Sequence, residues 1–239
     1  MISPIHALDS FFYTSMGAYS FQAQCEMVAE VGYDAITVAA WGGQPLIDLT
    51  QLKHVKARHG LDIAALYLVL HEGRNDALVR QIVESVEGVE LIELAVQTSR
   101  NGLPAILSVI ESLLPIVERR GLRLALYPHR NHVTQTTSQV VDLCNYFHHP
   151  RLGAVFNGYY WYTSQEGDLL GCLEAMRLGS CKSPPLARRC RRWGGAALPP
   201  WNRLIEVSWT ISPCSVPSPV WATAAESACS VGITAAMFT

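Results

Sequence analysis

The sequence predicts an α/β protein of the (β/α)₈ TIM-barrel type, incomplete, with about six regular βα units followed by an irregular C-terminal tail. Three observations predict it. First, a helix end, a glycine and a short Val/Ile/Leu-rich run recur as "AEVGYDAITVA", "ARHGLDIAALYLVL", "SVEGVELIELAV" and "ERRGLRLALY", around Gly32, Gly60, Gly88 and Gly121. The spacings of 28, 28 and 33 residues suit one strand, one helix and two loops, and "HPRLGAVF" around Gly153 is a looser fifth copy. Second, the runs after the glycines are apolar on both faces, as parallel strands covered by helices must be. Third, the turn after the first strand, "TSMGAYS", holds one glycine, so the phosphate turn of an open doubly wound sheet is missing. A closed ring fits better.

The elements follow in order. The first strand lies near residues 7–14, in "ALDSFFYT". "SFQAQCEMVAEV" is a helix with Ser20 as its N-cap, and residues 35–40 are the second strand. "LIDLTQLKHVKARH" leads to a third strand at 62–70, and "NDALVRQIVESVE" to a fourth at 89–96. The helix "LPAILSVIESLLPIVERR" carries Pro115, which removes a backbone hydrogen bond and predicts a kink. A fifth strand at 122–127, the helix "TSQVVDLCNYF", a sixth strand at 152–157 and the helix "SQEGDLLGCLEAM" complete the regular part, residues 1–177.

Composition divides the chain at the same place. Residues 1–174 hold 11 Lys+Arg against 18 Asp+Glu, a net of −7. Residues 175–239 hold seven basic residues against two acids, with four of the six Trp, seven of the 13 Pro and four of the seven Cys. The cysteines show neither a disulfide framework nor zinc-type CxxC spacing. Neither a leader-type segment nor an apolar run of bilayer length is found, so a cytoplasmic location with no membrane partner is expected. An acidic barrel half argues against a nucleic-acid partner.

In a barrel, chemistry gathers on the loops at the C-terminal ends of the strands. Those positions here are Tyr13, Trp41, His71, Glu72, Glu93, Gln97, Tyr127, His129, Asn157, Tyr160 and Trp161. Imidazoles, carboxylates, amides and rings on one mouth suit a small sugar or polyol, the rings covering C–H faces while polar groups fix hydroxyls. Each has a plainer alternative. His71 and His129 could be ordinary loop residues, Glu93 could face a helix, Trp41, Trp161 and Tyr67 could be packing, and His132, His148 and His149 are expected to be solvated.

"LALYPH" followed by "LGAVFNGYYW" resembles the fifth and sixth strands of the xylose isomerase-like TIM-barrel superfamily, the sugar phosphate isomerase/epimerase group that also holds AP-endonuclease-type nucleases. "SFQAQCEMVAEVGYDAITV" resembles its opening helix and strand, and "LDIAALYLVL" its third strand, so the likeness spans residues 7–177. It implies an isomerase or epimerase moving a proton between adjacent carbons of a small sugar, sugar phosphate or polyol. His129 would then be an acid/base or a metal ligand, Glu93 a base, and Tyr127, Asn157, Tyr160, Trp161, His71, Glu72 and Trp41 substrate contacts. It also implies a divalent metal (Mn, Mg, Co or Zn) held by Glu on strand five, Asp on strand six, His on strand seven and Glu on strand eight. This chain departs from that pattern: Tyr127 stands in place of the Glu and Asn157 in place of the Asp. A phenol and a neutral amide are poor ligands for a hard dication. A non-catalytic carbohydrate-binding barrel or truncated pseudoenzyme is the alternative of a different class. A nuclease is a third, weakened by the missing carboxylates and basic face.

The tail from 178 to 239 shows no period, and its local preferences agree on no single structure. A basic patch at Arg188, Arg189, Arg191 and Arg192, a disordered extension, and a change of reading frame near residues 178–190 are three readings of it. The last is favoured, because the tail's codons read one nucleotide back can spell an amphipathic helix ending in Gly-Tyr.

Overall fold

The computed structural model describes residues 4–14, 17–40, 47–97, 102–178, 206–210 and 232–238. Six parallel strands curl into part of a barrel: β1 (His6–Leu8), β2 (Ala35–Ala40), β3 (Asp62–His71), β4 (Leu91–Gln97), β5 (Arg123–Leu126) and β6 (Leu152–Asn157), each paired with the next in sequence order. The helices are α1 (Phe21–Val31), α2 (Val55–His59), α3 (Asp76–Ser85), α4 (Gly102–Arg120), α5 (Thr137–Phe147), the short α6 (Gly158–Thr163) and α7 (Leu169–Leu178). The incomplete TIM barrel expected from the repeat is therefore present.

Local chemistry explains the boundaries. Ser20 accepts a hydrogen bond from the Ala23 N–H at 3.2 Å and starts α1, which ends on Gly32 in the left-handed region at φ 93°. Thr136 and Gln139 form a reciprocal capping box at the start of α5. Gly88 is needed twice over: its φ is +77°, and a Cβ there would lie 2.5 Å from Lys53 Cα. In the looser fifth copy the left-handed position falls to His148 (φ 47°), while Gly153 lies inside β6.

Some elements differ from expectation. The first strand is only three residues long. Asp9, fully buried, accepts a hydrogen bond from the Ala39 N–H at 2.9 Å, and the chain turns through a 3₁₀ segment (Asp9–Phe12) into a ribbon of Tyr13–Thr14 and Gly17–Ala18. The second helix opens as a 3₁₀ turn (Leu49–His54) before α2. Helix α4 carries Pro115 within its span. The tail contributes β7 (Glu206–Thr210) and β8 (Gly232–Phe238), with β8 antiparallel to both β6 and β7.

Alternate residues of each strand face opposite ways. Leu66, Leu68, Leu70, Ile92, Leu94 and Val96 face outward and join the helices in the main core. Ala65, Leu91, Ala125 and Val155, and above them Ala39, Tyr67, Val69 and Ala95, face inward as two small clusters that Tyr127 bridges. The alanines leave open space along the barrel axis. Among the described residues no helix is long and apolar enough to cross a membrane.

Candidate active site

That space forms two cavities. One, of about 200 Å³, opens at the C-terminal ends of the strands and is lined by residues including Thr37, Tyr67, Glu93, Tyr127, His129 and Asn157. The other, of about 410 Å³, opens at the opposite end among Asp34, Asp62, Glu90 and Arg123. His6 and Glu93 border both.

Glu93 is the centre of the arrangement. It pairs in register with Tyr67 on one side and Ala125 on the other, which turns its side chain inward with theirs. It is only 5% exposed, and burial pushes its pKa up to about 7. Among the described residues none makes a hydrogen bond or ion pair to its carboxylate. Thr37, on the neighbouring β2, is 2% exposed, and its Oγ1 has no hydrogen-bond partner among the described residues.

Above Glu93 a short network fixes a phenol. Asn157 Oδ1 accepts from the Tyr160 N–H at 3.0 Å, capping α6, so its Nδ2 faces away and donates to Tyr127 Oη. With its oxygen already accepting, Tyr127 has its own O–H left to offer to the cavity. Burial first, and then the Glu93 carboxylate, hold the Tyr127 phenol above its ordinary pKa, so it stays neutral. Tyr67 meets the Tyr127 ring edge to face at 4.9 Å, and Tyr160 meets it at 6.5 Å.

His129 follows from the turn that Pro128 sets. Its Nδ1 lies 2.8 Å from the Arg130 carbonyl, an acceptor only, so Nδ1 carries a proton and Nε2 is the ring nitrogen left for the cavity. The His129 ring is 4.8 Å from Tyr160 and 4.2 Å from His132. His132, expected to be solvated, is half-buried instead; burial first, then a carbonyl hydrogen bond working against His129 and His71, leaves its pKa lowered.

The structure thus gathers Glu93, Tyr127, His129, Asn157 and Tyr160 around one cavity. His71 and Glu72 stand at the end of β3 without lining it; the His71 N–H donates to Asn75 Oδ1 and the Glu72 N–H to the Gln97 carbonyl. Trp161 turns away and packs near Phe156, with ring centres 6.4 Å apart. Trp41 and the Tyr13 side chain lie outside the described residues. Thr37, Tyr159 and His6, which strand-end position does not predict, also line the cavity, as does Tyr67, for which packing is the plainer expectation. The period-two alternation of each strand, counted from the inward Glu93, was the signal that could have found Thr37 and Tyr67.

The metal expected from the resemblance does not fit this donor set. Tyr127 and Asn157 occupy the strand-five and strand-six positions and are joined to each other, and among the described residues no three His, Cys, Asp or Glu side chains come together as a metal group.

No family model matches the chain, and no curated protein matches it either. Solved structures do. A D-psicose 3-epimerase determined in the presence of D-fructose superposes with a TM-score of 0.50 at 14% identity, over 63% of this chain and 62% of that one. A D-allulose 3-epimerase from Methylomonas sp. gives 0.50 at 11% identity, over 64% of this chain and 62% of that one. A xylose isomerase-like TIM barrel/4-hydroxyphenylpyruvate dioxygenase fusion protein gives 0.48 at 16% identity, over 64% of this chain and 26% of that one. The chain spans 62% of the length of each epimerase and shares their barrel fold.

Proposed function

We propose that the chain is an isomerase- or epimerase-type barrel acting on a small sugar or polyol by proton transfer between neighbouring carbons. The observation that carries this reading is Glu93: a buried carboxylate, poised near neutrality, facing a cavity that also holds a neutral phenol and an imidazole.

Removing a proton from a carbon beside a carbonyl requires a base and a donor to the oxygen on which charge develops. Ionised Glu93 is the base. Tyr127, held by Asn157, offers its O–H to the oxyanion. Protonated Glu93 then hands that proton to the neighbouring carbon, while His129 Nε2 accepts from the adjacent ligand hydroxyl and Tyr160 and Tyr159 cover the C–H face of the ligand. No step is assigned to a metal. Tyr127 and Asn157 are poor ligands for a hard dication, and that also favours a second reading, a carbohydrate-binding barrel without catalysis. Residues 1–177 carry the site in either case. Residues 178–239 are read as an aberrant segment, and a coding DNA whose frame stays coherent from codon 170 to codon 239 would remove that part of the proposal.

Incubation with ketopentoses and ketohexoses in deuterated water tests the reaction. Deuterium entering the carbon next to the carbonyl, detected by proton NMR, is the expected result. Saturable sugar binding with no exchange across the panel would leave the binder.

A further inference from the structure

We propose that the mouth cavity takes a small polyhydroxylated amine, its ammonium group seated against Glu93 within the rings of Tyr67, Tyr127 and Tyr160. This rests on the second reading above, a carbohydrate-binding site, since a Glu93 paired to an ammonium does not serve as a base, and it names the charge that the site selects.

Four tyrosines line the cavity, at 67, 127, 159 and 160, together with one carboxylate. Rings around a carboxylate form a pocket for an organic cation, because the negative π faces and the carboxylate attract the same charge. Their mutual arrangement suits this. Tyr127 is nearly perpendicular to both Tyr67 and Tyr160, at 73° and 84°, so the rings wall a space instead of stacking in one pile. Glu93 needs such a partner, since a buried carboxylate is costly unless it is paired or protonated, and no described residue pairs it.

The surrounding charges agree. Among the described residues no lysine or arginine lines the cavity. Burial holds the His6 imidazole neutral, with a pKa lowered to about 4. Arg123 lies at the opposite end of the axis, 3.9 Å from Glu90, and Arg130 is exposed on the rim near Tyr160. A phosphate entering the cavity would meet Glu93 with no cation lining the walls. An ammonium would complete an ion pair, with Thr37 Oγ1 and the Tyr127 hydroxyl left for the adjacent hydroxyls of the ligand.

Calorimetric titration of the full chain with D-glucamine, D-glucitol and D-glucitol 6-phosphate tests this, since the three share one carbon chain. At about pH 8.5 an alkylamine keeps its proton while Glu93 is ionised. The expected result is that D-glucamine binds at least about tenfold more tightly than D-glucitol, and that Glu93→Gln abolishes the preference. The wild-type comparison decides even if that variant fails to fold. Equal binding of the amine and D-glucitol overturns the amine proposal and leaves the polyol site standing. Tightest binding of the phosphate overturns it in favour of a sugar phosphate. Binding of none of the three overturns both.

Discussion

The outer and inner faces of the strands are made by the same stretches of chain, one residue out of step. Outward, Leu66, Leu68, Ile92, Leu94 and Phe156 are sealed under the helices. Inward, the same strands carry Ala65, Tyr67, Glu93, Ala95 and Asn157. Large residues on one side fill space, while small ones on the other leave it open and expose a few polar groups to it. The difference teaches that stability and chemistry can be read from the parity of a residue within its strand.

Substitutions can break that separation. Glu93→Gln keeps shape and removes a base, so sugar-dependent deuterium exchange should fall by about 10² to 10⁴ while the urea midpoint holds or rises. A large loss of stability instead would make Glu93 a structural group. Phe156→Ala, at a side chain 2% exposed, should cost about 3–5 kcal/mol in urea unfolding. A cost under about 1 kcal/mol would mean that the outer face is loosely packed.

Acidity sharpens the comparison further. Glu93 binds its proton up to about pH 7 when folded, against 4.5 for an unburied glutamate. Its contribution is therefore fully present below about pH 4 and is lost as pH rises through 7, by up to about 3 kcal/mol. Unfolding of the wild type measured against Glu93→Gln should show that slope as the difference between them; parallel curves would remove the raised pKa. The smallest effect belongs to neither face. Lys53→Ala breaks an exposed 2.8 Å ion pair with Glu87 and should change stability by less than about 1 kcal/mol.

The repeat, the strand order and the mouth were legible because each rests on local patterns: a glycine after a helix, then an apolar run. Glu93, Tyr127, His129 and Asn157 followed from their places at or near strand ends. Thr37 and Tyr159 escaped, since a threonine inside "AITVAA" and one tyrosine among three look ordinary until the curl of the sheet aims them. His132 misled for the opposite reason: nothing in "HRNH" shows that two imidazoles share one carbonyl at Arg130. The turn at Asp9 was also hidden, because its partner, the Ala39 N–H, lies 30 residues away.

Glu93 borders the lower cavity as well as the mouth. A ligand that fills the mouth therefore corks only one end of the barrel, and the carboxyl group stays in touch with bulk water through the far side. In the proposed reaction, a hydrogen lifted from carbon would therefore be traded with the medium before it is handed back, and turnover would wash isotopic label out of the sugar instead of conserving it.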